Sequence, residues 1–237
     1  MLKRFVCWIL ATSPIFFLRA QSNFNLEGGT NGSRIVVFDN NGKIFSDPPS
    51  NIAGNPFLLQ DWRSGSLILQ GNKRYDSIRV RLNLQTQQVH FLNQNNVEMV
   101  LPKSFVVELV LRDSAAEGGP LTYTFQSGFP AIDNQSKDNF YRVLISGRLE
   151  LLESIRKVIV TEKNQMTEEE SKEFRDYTEY YLYSNGIFKR VKKDKDFILS
   201  LMVDRKDQVE AYVQSKKLNF RSIDNIGQIV AYYDALP

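Results

Sequence analysis

From Ser66 to Leu152 the chain repeats with a period of two. Ile78, Val80, Leu82 and Leu84 fall on one face of a run whose other face carries Ser77, Arg79, Arg81 and Asn83. Successive side chains of a strand point to opposite sides, so this alternation predicts an antiparallel strand with one dry face and one wet one. Similar runs at 88–92, 97–101, 105–112, 121–126 and 140–152 are divided by Asn-, Gly- and Pro-containing turns. They predict a meander of short strands over 66–160, with Ser146-Gly147-Arg148 breaking the last run into two. A second hairpin follows. Tyr177, Glu179, Tyr181 and Tyr183 alternate with Thr178, Tyr180 and Leu182, and Ser184-Asn185-Gly186 then turns the chain into Ile187 to Val191. Asn-Gly suits the positive φ angles of tight hairpin turns.

After Asp196 the period becomes helical. Phe197, Leu201 and Met202 share a face, then Val209, Tyr212 and Val213 after a candidate cap at Asp204, then Ile226, Ile229, Val230 and Tyr233 after Ser222. Three short amphipathic helices are expected, each with a narrow apolar stripe that must pack on something. The neighbouring sheet is the obvious surface. The fold class is therefore mainly β: an antiparallel meander or curved sheet with a short C-terminal α-helical cap, an α+β arrangement. Two segments read differently. Residues 161–176 are dominated by Glu and Lys, and although Thr167-Glu168-Glu169-Glu170 has capping-box spacing, the absence of an apolar period predicts a charged loop. Residues 21–65 are rich in Asn, Gly, Ser and Pro, with one hairpin around Asn40-Asn41-Gly42 and an irregular stretch after it. Residues 177–237 then form the final unit, a hairpin with the three helices.

The first twenty residues read as a signal peptide. Met1-Leu2-Lys3-Arg4 supplies a cationic start, Phe5 to Leu18 an apolar stretch containing Pro14, and Ala20 a small residue for cleavage before Gln21. The stretch is shorter than the roughly twenty residues that span a bilayer as a helix. Export to the periplasm or the extracellular space is expected, with no transmembrane span after cleavage near Ala20. The single cysteine, Cys7, lies inside this segment, so the mature chain has no thiol for a disulfide, a nucleophile or a lipid anchor. Lys3, Arg4 and Arg19 also leave with it. The 30 Lys and Arg against 27 Asp and Glu then become equal numbers, which removes the electrostatic argument for nucleic acid as a partner.

Reactive constellations are scarce. His90 is the only histidine; it sits between Val89 and Phe91 and is expected to face solvent from a strand. A serine triad would have to run through it, and no Gly-x-Ser-x-Gly elbow is present. Zinc needs two or more His or Cys ligands, and no calcium-type acidic loop appears. Two suitably spaced carboxylates would suffice for glycoside hydrolysis, but nothing singles out a pair; Glu108, between apolar neighbours, is the acid most apt for burial. No catalytic residue, metal ligand or cofactor is expected. Lys189, Arg190, Lys192, Lys193 and Lys195 form the densest basic run, which strand alternation divides between two faces. Asp76-Ser77-Ile78 and Asp113-Ser114-Ala115 have the short Asp-Ser-aliphatic form of an O-glycosylation acceptor. Aromatics are the candidate binding groups: Trp62 ahead of the first long strand, and Tyr177, Tyr180, Tyr181 and Tyr183 in the hairpin, able to stack on sugar rings or cover a lipid.

Gly54-Asn55-Pro56-Phe57 through Trp62, Gly65 and Tyr75, together with Tyr180-Tyr181-Leu182-Tyr183, Asn185-Gly186, Phe197 and the terminal helices, resemble exported Gram-negative, Bacteroidetes-type envelope proteins of unknown function. The resemblance covers most of residues 54–237 and implies a location and an architecture, with no catalytic residues attached. The expectation is an exported, non-enzymatic envelope protein acting as an interaction or structural module, with an envelope protein as partner. The alternative is a carrier of a small apolar ligand or a sugar held between the curved sheet and the terminal helices. An acid-pair hydrolase ranks third.

Overall fold

The computed structural model describes residues 52–163 and 169–237. The leader, the hairpin read around Asn40-Asn41-Gly42 and the Thr167-Glu168 half of the capping box lie outside the described residues. Eleven strands are described: β1 (Ile52–Ala53), β2 (Arg63–Leu69), β3 (Lys73–Asn83), β4 (Gln88–Leu92), β5 (Glu98–Leu101), β6 (Val106–Asp113), β7 (Leu121–Gln126), β8 (Tyr141–Ile145), β9 (Glu150–Lys163), β10 (Glu170–Ser184) and β11 (Ile187–Arg190). They form one open sheet in the order β1-β10-β9-β8-β7-β6-β2-β3-β4-β5, with β11 also paired to β10. Every pairing is antiparallel except that of β1 with β10, which makes the sheet mixed. Three helices close the chain: α1 (Lys195–Leu199), α2 (Lys206–Lys216) and α3 (Ile223–Ala235).

The period-two face of β3 builds the first core. Val80 and Leu82, with Leu84 beyond the strand, join Leu67 of β2, Val89 and Phe91 of β4, Leu109 and Leu111 of β6 and Phe125 of β7 in a single buried cluster. Among the described residues no helix residue joins this cluster, so the sheet itself must curl to keep water from it, and a hydrogen-bonded clasp holds the curl. Gln87, in the turn after β3, donates from Nε2 to the Leu84 carbonyl at 3.1 Å and to the Ile155 carbonyl of β9 at 3.2 Å. Its Oε1 accepts from the Phe140 amide at 3.1 Å. The Lys157 amide adds a bond to the Leu84 carbonyl at 3.2 Å, so strands far apart in the sheet order meet edge to face. Gln87 takes a φ of 56° to do this, a conformation that costs a side-chain-bearing residue about 1–2 kcal/mol. An extra residue on β3 opposite Gly65–Leu67 adds a bulge, with Ser77 at φ 57°; bulges sharpen local twist and help the sheet to roll.

The second core lies at the other end. Leu149 just before β9, Leu151 of β9 and Leu182 of β10 meet Ile198, Leu199, Met202, Val209, Ile226, Ile229 and Val230 from the helical region, all buried. Burying each such side chain stabilises by about 1.5–3 kcal/mol, which is why three short helices of little intrinsic stability form at all. Asp194 caps α1 by accepting from the Phe197 amide at 2.9 Å. Asp204 does not cap α2 as the sequence reading expects; a tight turn over Val203–Arg205 precedes the helix, and Asp204 accepts instead from the Tyr233 hydroxyl of α3 at 2.8 Å. The tertiary partner wins because it ties two helices together.

The charged loop read over 161–176 is corrected at residues 161–163 and 170–176, which are strand; residues 164–168 lie outside the described residues. β9 and β10 are 14 and 15 residues long and pair without a break from Glu170 opposite Lys163 to Tyr183 opposite Glu150. The outer part of this ribbon is exposed on both sides, so no apolar alternation marks it; ladder hydrogen bonds and cross-strand charge pairs such as Arg175 with Glu162 at 2.6 Å hold it. Among the described residues no helix is long and apolar enough to cross a membrane.

Candidate functional site

Alternation along β10 gives its two faces different tasks. Leu182 points to the helices, whereas Tyr177, Glu179, Tyr181 and Tyr183 share the opposite face with Arg156 and Leu152 of β9 and with Phe188 and Arg190 of β11, as the register dictates. Leu152 and Tyr181 at one end of this face pack with Tyr141 of β8 and Phe129 of the β7–β8 connection. Tyr141 and Tyr181 meet edge to face at 5.4 Å, and Phe129 stacks on Phe188 at 5.6 Å. These rings form a fixed apolar floor.

Beside that floor opens a cleft of about 660 Å³ lined by Asp133, Asn134, Arg156, Val158, Tyr177, Glu179 and Arg190. Its centre is Glu179, whose side chain is only 5 % exposed. Arg156 donates to Glu179 Oε2 at 2.7 Å, and Arg190 pairs with Oε1 at 2.6 Å. A carboxylate withdrawn from water needs such partners. The Tyr181 hydroxyl lies 3.2 Å from Glu179 Oε2 and 2.9 Å from Asp133 Oδ2, and it accepts from Gln135 Nε2 at 2.8 Å. Ser154 of β9 donates to Gln135 Oε1 at 2.8 Å. Burial first, then the bond to Asp133 and the charge on Glu179, hold the Tyr181 phenol well above its ordinary value, so it stays protonated. The Arg190 guanidinium is likewise held above its usual range, chiefly by Glu179, with a smaller contribution from a hydrogen bond to Tyr177. Tyr177 is 47 % exposed, with the Arg156 guanidinium 4.9 Å from its ring centre. Two carboxylates and two guanidiniums thus balance in one wall.

The aromatic residues singled out from the sequence divide three ways. Tyr177 and Tyr181 belong to the cleft and its network. Tyr183 packs against Phe129 at 5.2 Å, within the floor. Tyr180 lies outside this cleft, on the opposite face of the strand as alternation requires, where it bonds Glu153. Trp62 stands elsewhere again, 4.3 Å from the Arg81 guanidinium, which also lies 3.8 Å from the Phe57 ring. Arg81 Nη2 donates to both oxygens of Glu98 at 2.8 Å, so Trp62 fastens the segment before β2 onto the sheet.

His90 is corrected from a solvent-facing residue to a fully buried one, 0 % exposed. Its strand is covered on both sides, because residues 54–62 fold back over the outer face: Phe57 meets the imidazole edge to face at 5.1 Å, and Nδ1 lies 2.6 Å from Glu98 Oε1. Burial lowers the imidazole's proton affinity more than Glu98 raises it. Glu108 is half-buried and accepts from Gln126 Nε2 at 3.0 Å. The basic run disperses, with Arg190 in the cleft and Lys195 paired to Glu210 at 2.9 Å. Among the described residues no three His, Cys, Asp or Glu side chains gather as a metal site.

Sequence reasoning missed Arg156, Asp133 and the role of Glu179. A signal existed for Glu179, an acid placed between Tyr177 and Tyr181 on an otherwise aromatic strand face, which demands a basic partner on a neighbouring strand. Asp133 offered none, since it arrives from an irregular connection. The fold and cleft define a class: a rolled, mainly β protein with a helical cap on one face and a charge-balanced cleft on the other. No protein-family model, curated protein or solved structure matches the chain.

Proposed function

We propose that this is an exported envelope protein that works by binding, as a non-enzymatic interaction module, and that the cleft over β9, β10 and β11 is its binding surface. The observation that carries the reading is the state of Glu179. Both of its oxygens are engaged by guanidiniums, so the buried acid serves to fix Arg156 and Arg190 in place and is poorly suited to pass a proton to a substrate. A preformed polar wall and a half-open tyrosine, steadied by the rigid aromatic cluster beside them, are what a binding surface needs. The leader-like order of residues 1–20 supports the export half. The space between sheet and helices, where a carrier would hold its ligand, is filled by Leu149, Leu151, Leu182, Ile226 and Ile229, which favours the surface cleft over an internal one.

The test has two parts. Expressed at full length in a Gram-negative host, the protein should be recovered from the periplasm or medium with a mass that begins near Gln21; an intact leader in the cytosol would overturn export. The mature protein should retain one envelope component at a fixed ratio, and Arg190→Ala should lose it. Turnover of a glycoside or ester panel, abolished by Glu179→Gln, would overturn the binding reading.

A further inference from the structure

Resting on that reading, we propose that the cleft takes a neutral, hydroxyl-rich sugar unit laid with its C–H face against Tyr177. Charge is the first argument. Asp133 and Glu179 face Arg156 and Arg190 across the same opening, and both guanidiniums already hold Glu179 at 2.6–2.7 Å. A phosphate or carboxylate would have to displace that acid and approach Asp133 as well, a like-charge cost with no surplus cation to offset it. A free cation meets the mirror-image obstacle in the two guanidiniums. The wall therefore selects against ions of either sign.

Its hydrogen-bonding character is the second. Each guanidinium carries five N–H donors, of which the Glu179 pairings use only a part, Asp133 offers acceptors only, and the Asn134 amide offers both. Vicinal hydroxyls, which donate and accept from adjacent carbons, are matched to such a mixed wall. Phosphates accept without donating and apolar chains do neither. Tyr177 supplies the third element: about half of the residue is open, and the Arg156 guanidinium, 4.9 Å from the ring centre, restrains the ring from one face and leaves the other for a flat apolar surface to lie on. Apolar lining is confined to Tyr177 and Val158, too little for a lipid chain. The volume of about 660 Å³ falls within the range of about 300–1,000 Å³ of small-ligand sites, which suits a short oligosaccharide.

The experiment titrates the mature protein with neutral oligosaccharides built from glucose, galactose, mannose or N-acetylglucosamine, followed by calorimetry and by tyrosine absorbance difference spectra. The expected result is saturable binding of at least one, weakened about tenfold or more by Tyr177→Ala, the loss of one stacking contact, and nearly independent of salt. Tyr180→Phe, on the opposite face, should bind as the native protein does. Tyr177 is exposed, so the variant's near-ultraviolet circular dichroism should match the native spectrum. Salt-sensitive binding of inorganic phosphate or a sulfated oligosaccharide, lost in Arg190→Ala, would overturn the neutral-sugar assignment while keeping the cleft as a binding site. Sugar binding untouched by Tyr177→Ala would overturn the location. Should no neutral oligosaccharide bind at millimolar concentration, the inference fails; envelope retention that is still sensitive to Arg190→Ala would leave the broader binding reading standing, and retention that ignores it would end both.

Discussion

The Gln135 amide reaches the Tyr181 hydroxyl across 2.8 Å, joining an irregular connection to the C-terminal part of β10, the longest of the described strands. Both residues are buried, so the bond cannot be exchanged for one to bulk water. Tyr181→Phe strands the Gln135 amide and should cost about 1–3 kcal/mol, read as a lower urea midpoint at unchanged slope. Tyr141→Phe is the counter-experiment. The Tyr141 hydroxyl is buried with no hydrogen-bond partner among the described residues, so its removal should range from no change to a gain of about 1 kcal/mol. Equal losses in the two variants would show that the network is not worth what its geometry implies.

Gln87 closes the roll of the sheet with three side-chain bonds, and its substitution separates their contribution from that of the backbone. Gln87→Ala leaves the Phe140 amide without its acceptor and keeps the unfavourable φ of 56°, for an expected loss of about 2–4 kcal/mol. Gln87→Gly loses the same bonds but suits that φ and should be milder by up to about 1 kcal/mol. Thermal or urea unfolding decides the order, and a more stable alanine variant would refute the strained turn.

His90 gives stability a defined dependence on pH. Burial holds its folded-state proton affinity below the ordinary 6.5 against the pull of Glu98, so the unfolded chain takes up this proton first. Stability should be level above about pH 7 and fall as pH drops through 6.5 toward the folded-state value. For Glu98 burial acts upward, but the hydrogen bonds from His90 and Arg81 bring the carboxyl below 4.5; its contribution is present above that value and is lost further into acid. Because His90 is the only histidine, His90→Gln should flatten the limb below pH 7 and leave the steeper acid limb in place. A native and a variant curve with the same slope near pH 6 would contradict the assignment.

Gly65 is required by what stands beside it. A Cβ on this residue would run into the Val110 carbonyl oxygen of β6 and a methyl of Val80 on β3, and backbone on one side cannot yield. Gly65→Ala should cost about 1–3 kcal/mol by overpacking, measurable as a lower thermal midpoint. No change would mean that the β2–β6 spacing is looser than described.

Where burial is one-sided, the sequence states the fold openly. The alternation of Ile78, Val80 and Leu82, the Asn185-Gly186 turn and the helical spacing of Ile226, Ile229 and Val230 each report a single dry face. Residues 161–163 and 170–176 are strand without such a face, so only propensity could have marked them, and Glu- and Lys-rich segments score poorly on it. His90 misled for the converse reason: its outward register is correct, but Phe57 and Trp62 cover that side from a segment whose path no local pattern records. The cleft was half legible. Tyr177 and Tyr181 stand out by alternation, whereas Arg156 and Asp133 reach them through a long-range register and an irregular turn, neither of which periodicity encodes.

Because successive residues of β10 serve opposite sides of the sheet, a slip of one position against β9 would send Leu182 onto the aromatic floor and Tyr181 among the helices. The cap and the cleft would be lost together. A misaligned molecule therefore cannot retain a working recognition face by accident, and occupancy of that face by a ligand would select the correctly threaded chain from its mispaired competitors.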